Sequence, residues 1–116
     1  MDILKVTLLF DFYGELLTDK QKETYEMYYL NDLSLSEIAG ELDISRQAVR
    51  DQIKRTEKIL QGYEDELKLV DKFMNNKKSA CKIRSLIDEL EKRNELSKES
   101  VEIAEQIRAA VDEIIQ

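Results

Sequence analysis

Residues 33–53 read LSLSEIAGELDISRQAVRDQI, from Leu33 to Ile53. The stretch encodes two short amphipathic helices with a tight turn between them. Ser34 followed by Glu37 fits a capping box, and Ser45 is placed to cap the second helix. A helix-turn-helix needs a small residue where its helices cross, apolar residues around that crossing, and a sharp turn. Ala39 is the small residue, with Ile38 and Leu42 beside it. Ile44 closes the turn, and Val49 and Ile53 are the inward side chains of the second helix. Asp43 stands in the turn where many such motifs carry Gly. Asp adopts the left-handed conformation more readily than most residues, so the turn is expected to form. Its carboxylate would then face any phosphate brought to the turn.

Outward from this stretch the chain reads as helix almost throughout. It has no Pro and three Gly, and its apolar residues recur at helical spacing. The spacing predicts helices at about 2–17, 19–30, 35–42, 45–75, 79–95 and 97–115, with ends uncertain by about two to four residues. Thr18 with Gln21 fits a second capping box, and Ser79 and Ser97 are further N-cap candidates. Ile3, Leu4, Leu8, Phe12 and Leu16 make the first helix apolar over more than half its circumference, as expected of a helix covered on several sides.

The fourth helix carries a heptad seam of Val49, Ile53, Thr56, Leu60, Tyr63, Leu67, Val70 and Met74. Gly62 lies beside it as a candidate bend. Apolar stripes in the last two helices (Ile83, Leu86, Ile87 and Leu90, then Val101, Ala104, Ile107, Val111 and Ile114) offer partners for the seam. The fold class predicted is all-α. A helix-turn-helix domain spans 1–60, and a helical extension over 61–116 serves as a packing or dimerisation tail. Such long stripes leave apolar surface to cover, so a homodimer is expected.

Composition narrows the chemistry. The 116 residues include 25 acidic and 18 basic ones, a net charge of −7, with 42% apolar residues. Nucleic-acid binding therefore has to come from a local patch. With no His, Ser-His pairs, His-ligated metals and a His general base are excluded. The single Cys81 rules out an internal disulfide and a thiolate zinc cage. Residues 1–9 include Asp2 and Lys5 and read as no signal peptide, and no apolar run has membrane-spanning length. The expectation is a cytoplasmic protein with no catalytic residues, metal, cofactor or membrane partner.

One patch stands out. From Ser45 to Lys58 there are five basic and two acidic residues, a local charge of +3. Arg46, Gln47 and Arg50 near the start of the second helix are suited to base edges, and Lys54 and Arg55 to phosphates. Asp51 sits among them and repels backbone. The alternative is a solvated charged face on a structural three-helix unit.

From Thr18 to Leu60 the chain resembles region 4 of sigma factors, a helix ending TYEMYYL followed by LSLSEIAGELDISRQAVRDQIKRTEKIL. Over its whole length it is similar to the YlxM family of small bacterial proteins, most tellingly in LLFDFYGELLTDKQKETYEMYYLNDLSLSEIA and in the acidic helical tail. The resemblance implies a regulatory or accessory protein of the signal recognition particle pathway, binding the particle's RNA or its GTPase. It brings no catalytic residues. A DNA-binding transcriptional regulator acting on duplex DNA and a protein-interaction module without nucleic acid remain alternatives.

Other features read as structural. Lys72, Lys77, Lys78, Lys82 and Arg84, with Asn75 and Asn76 between them, suggest the turn after the long helix, with RNA phosphates as a second possibility. Tyr25, Tyr28 and Tyr29 read as interhelical contacts rather than base-stacking platforms. Cys81 reads as packing rather than a reactive thiol. Asp65–Glu66 and Asp112–Glu113 point about 100° apart on their helices and do not converge.

Overall fold

The computed structural model describes residues 3–115, and every regular element among them is helical. Helix α1 (Ile3–Tyr13) runs into a 3-10 turn at Gly14–Leu16. Helix α2 (Asp19–Tyr25) continues as a π-helical turn at Glu26–Leu30. Helices α3 (Leu35–Leu42), α4 (Arg46–Leu67), α5 (Leu69–Lys92) and α6 (Lys98–Ile115) follow. The chain divides into two compact units, Met1–Val70 and Asp71–Gln116. No helix among the described residues is long and apolar enough to cross a membrane.

Local chemistry sets the helix starts. The Thr18 side chain accepts from Gln21 N while the Gln21 side chain accepts from Thr18 N, and Ser34 and Glu37 do the same for α3. Each box satisfies two amide donors that the first helical turn leaves open. Ser45 accepts from Ala48 N at 3.0 Å, and Ser97 accepts from Ser100 N at 3.1 Å. Asp43 takes the left-handed conformation (φ 55°, ψ 47°), and its N–H, like that of Ile44, donates to Ala39 O. That closes the helix-turn-helix.

Two cores hold the first unit. One gathers Val6, Leu9, Tyr13, Leu17, Tyr25, Leu60 and Val70, the other Ile38, Val49 and Ile53 with Ala39, Leu42 and Ile44 around them. The second is the predicted crossing of α3 and α4. α1 is less covered than its composition suggests: Val6, Leu9 and Tyr13 are buried, but Ile3 and Leu4 remain more than half exposed. It ends early because Gly14 begins the 3-10 turn under the Phe10 ring, where a Cβ would come within 3.2 Å of that ring.

The predicted long helix over 45–75 is corrected. It stops at Leu67 because Lys68 is left-handed (φ 57°, ψ 28°), and a new helix starts at Leu69. The seam is buried at Val49, Ile53, Thr56 and Leu60, after which Glu64 takes the inward position and Leu67 is 47% exposed. Oε1 of Glu64 accepts from Tyr13 Oη at 2.6 Å and from Val70 N at 3.0 Å, and Tyr13 Oη accepts from Leu69 N at 3.1 Å. A buried Tyr–Glu pair thus caps the first turn of α5 in place of a local side chain. Burial, then the bond to Glu64, raises the Tyr13 pKa. Gly62 lies inside α4 with open space around it and makes no break.

The predicted turn at 75–79 and the Ser79 cap are likewise corrected: Asn75 to Ser79 lie in the interior of α5. Asn costs a helix only a few tenths of a kcal/mol, so two of them do not end it.

Lysine has no short side chain to support a left-handed backbone, which costs roughly 1 kcal/mol for such residues. Lys68→Gly is therefore expected to raise stability by up to about 1 kcal/mol. Urea unfolding of the full chain checks this; a lower midpoint would contradict it.

In the second unit, α5 and α6 pair antiparallel. Arg108 reaches both Asp88 and Glu91, and Arg84 lies 3.8 Å from Asp112. Ala80 and Ile87 face Ala104 and Val111, the buried hydrophobic residues of this unit among those described.

Candidate nucleic-acid interface

The candidate surface is the outer side of α4. Its inner side is fixed by Val49, Ile53, Thr56 and Leu60, all 5% exposed or less. Counting about 100° per residue from that face brings Arg46, Arg50, Lys54 and Lys58 into one stripe, each a turn beyond the last, with Gln47 and Asp51 alongside. All six are exposed. Within residues 3–70, none of the four cations is held in an ion pair.

Arg55 borders the same outer depression as Asp51, Lys54 and Lys58. It also borders a second depression, with Thr18, Lys20, Gln21 and Gln52. All five predicted contact residues (Arg46, Gln47, Arg50, Lys54 and Arg55) therefore lie on the outer side of α4, with Arg55 also adjoining Lys20. Lys20 is not legible from spacing as a neighbour of Arg55, because the two meet only through the packing of α2 on α4.

Two further depressions border the stripe nearer the start of α4. Leu35, Arg46, Gln47 and Arg50 line one, and Tyr28, Tyr29, Leu35, Arg50, Ile53, Lys54 and Glu57 line the other. Arg50 borders both. Gln47 Nε2 donates to Asp51 Oδ1 at 3.0 Å, which ties the carboxylate to an amide rather than to a cation. The pair presents outward acceptors suited to an exocyclic base amine. It has to open before Gln47 can read adenine with both ends of its amide.

The stripe is held rigidly from behind. Tyr29 Oη donates to Glu57 Oε1, and Thr24 Oγ1 donates to Gln52 Oε1 at 3.2 Å, so α2 and its π-turn are pinned to α4. Tyr25 stacks on Phe10 with centroids 5.6 Å apart and meets Tyr29 at 4.7 Å. Tyr25 is thus core, while Tyr28 and Tyr29 are half-buried interhelical contacts at the edge of the surface. Burial raises the pKa of Tyr25 and Tyr29, reinforced in each by Glu57.

A tyrosine pKa raised by folding means that the folded state keeps the proton where the unfolded state loses it. Tyr13, Tyr25 and Tyr29 thus contribute stability that is fully present below about pH 10 and is lost as pH rises through the raised values. The denaturation midpoint is expected to fall steeply above about pH 10. The Tyr25 hydroxyl is buried without a hydrogen-bond partner. Tyr25→Phe keeps the ring and removes the orphan group, so it is expected to preserve stability at neutral pH or raise it, and to flatten the alkaline decline. A loss beyond about 1 kcal/mol at pH 7 would contradict this.

The second basic cluster does not form a surface. Lys72, Lys77, Lys78, Lys82 and Arg84 are spread around α5, Lys77 lies 5.8 Å from the Phe73 ring centre, and Arg84 is near Asp112. Cys81 is half-buried. Among the described residues no group of three or more acidic or cysteine side chains is arranged to hold a metal.

The sequence family described as "Putative helix-turn-helix protein, YlxM / p13 like", UPF0122, matches residues 2–108 of this chain. UPF0122 proteins of Bacillus thuringiensis, Bacillus cereus and Bacillus anthracis are each 50% identical to it over 103 residues, covering 89% of this chain and 94% of the relative.

Proposed function

We propose that this chain, which belongs to the UPF0122 family of helix-turn-helix proteins, is a non-enzymatic, cytoplasmic regulatory protein that binds nucleic acid through the outer face of α4. The observation that carries the reading is the row Arg46, Arg50, Lys54 and Lys58, four exposed cations that form no ion pair among the described residues 3–70, in a chain of net charge −7. An acidic protein that leaves such a row uncompensated presents one site of attraction to a polyanion and repels it elsewhere. The YlxM-like sequence makes the signal recognition particle RNA the first ligand to test, with a role in protein targeting.

A second reading, duplex DNA, is favoured by the placement of Arg46, Gln47 and Arg50 at the start of α4. That is where recognition helices touch base edges. The basic flanks on both sides, Arg46 with Arg50 and Arg55 with Lys20, suit the two phosphate strands bordering a major groove.

Fluorescence anisotropy with labelled particle RNA and random duplex DNA, at about 50 and 200 mM salt, separates these readings. Arg50→Ala/Lys54→Ala is expected to weaken binding at least about tenfold and to lower the salt slope by roughly 2. With RNA as ligand, Gln47→Ala is nearly silent, since A-form RNA hides its major groove. With DNA, it relaxes sequence preference. Absence of binding to both would overturn the proposal and turn attention to the particle's GTPase as a protein partner.

A further inference from the structure

The α5/α6 hairpin buries little of what it carries. Ile83, Leu86 and Leu90 on α5 are 40%, 53% and 45% exposed, and Ile103, Ile107 and Ile114 on α6 are 58%, 44% and 50% exposed. Measured from the inner residues Ala80 and Ile87, the α5 stripe is rotated back by about 60–120°. Measured from Ala104 and Val111, the α6 stripe is rotated back by about the same angle. Because the helices run antiparallel, equal rotations in this sense bring both stripes to the same side of the hairpin. The result is one continuous apolar face, on the order of 500 Å².

The edges of this face carry opposite charge. Along the outer edge of α5 lie Lys82 and an ion pair of Arg93 with Glu89 (3.5 Å), and along that of α6 lie Glu99, Gln106 and Glu113. The bonds from Arg108 to Asp88 and the approach of Arg84 to Asp112 set the level of one helix against the other. By that register Lys82 is level with Glu113, Glu89 with the neutral Gln106, and Arg93 with the first turns of α6.

We propose that this face is covered by a second copy of the same chain, with α5 of each protomer against α6 of the other. A two-fold axis parallel to the helices produces this arrangement and leaves every residue at its own level. It sets Lys82 against Glu113 of the partner subunit, twice per dimer. The other two-fold arrangement stacks α6 on α6 and opposes acidic edges, which costs binding. Two such faces together remove about 1,000 Å² from water, the size at which specific interfaces begin. A four-helix bundle of antiparallel neighbours results. The inference is independent of what α4 binds.

Sedimentation equilibrium on the full chain tests it. The wild type is expected to be a dimer at about 50 μM. Lys82→Glu and Glu113→Lys, both at exposed positions, should each weaken self-association at least about tenfold, because each homodimer then holds two like-charged pairs. An equimolar mixture of the two variants should recover wild-type affinity, since the heterodimer restores both pairs, one in its native sense and one with the charges exchanged. Ile107→Glu should be monomeric with unchanged helical circular dichroism. A wild type that stays monomeric at about 100 μM would overturn the proposal, as would a mixture that associates no better than its separate components.

Discussion

Replacing Glu64 with alanine is expected to lower the stability of the first unit by about 3 kcal/mol. Glu64 is 6% exposed and sits on the inner face of α4, where a heptad pattern calls for an apolar residue. Its Oε1 receives the Tyr13 hydroxyl and the Val70 amide, and Tyr13 in turn receives the Leu69 amide. Removing the carboxyl leaves two buried donors without a partner, at about 1–3 kcal/mol each, and opens a small cavity. Part of this returns if water enters. Glu64→Gln retains an acceptor oxygen and should cost about 1 kcal/mol. Chemical unfolding followed by circular dichroism compares the three chains. Equal stability of Glu64→Ala and the wild type would show that the network does not hold the α4–α5 junction.

A loss of similar size is expected from Ile38→Ala, for a different reason. Ile38 is fully buried in the crossing of α3 and α4, packed with Val49 and Ile53. Truncating it removes apolar contact and leaves a void that three converging helices fill poorly, at about 2–5 kcal/mol. Ile38 touches none of the exposed cations of α4. Under conditions where the variant is still folded, its affinity for nucleic acid should therefore match the wild type. It should fall only as the folded fraction falls. Denaturation curves and anisotropy titrations on the same sample separate the two effects, and loss of affinity in a fully folded Ile38→Ala protein would contradict the separation.

What was legible in the sequence is what depends on near neighbours. The two capping boxes act over three residues, so Thr18 and Ser34 announce their helices directly. Asp43 has the side chain that a left-handed turn tolerates, and the inner face of α4 follows from a period of 3.6. The break at Lys68 depends on Tyr13, more than fifty residues earlier, meeting the first amides of α5. Lysine itself gives no stop signal, so nothing local to residue 68 ends the helix that the spacing predicts. Asn75 and Asn76 gave the opposite error, because polar residues in a row look like a turn when the flanking helix contacts are not visible. The cations of the candidate site were readable as one face of one helix. Lys20 beside Arg55 was not, because helix packing rather than spacing brings them together. The single outward face of the α5/α6 hairpin needed the antiparallel register that Arg108 and Arg84 define.

The most direct test of the central claim is chemical-shift mapping of the full chain with the signal recognition particle RNA and, separately, with a random duplex DNA at low salt. The proposal predicts that one of them perturbs the backbone amides of Arg46 through Lys58 and the Arg46 and Arg50 side chains. Added salt should abolish those changes, leaving the α5/α6 hairpin silent. Perturbations centred on α5 and α6, or none from either nucleic acid at about 100 μM, would contradict it.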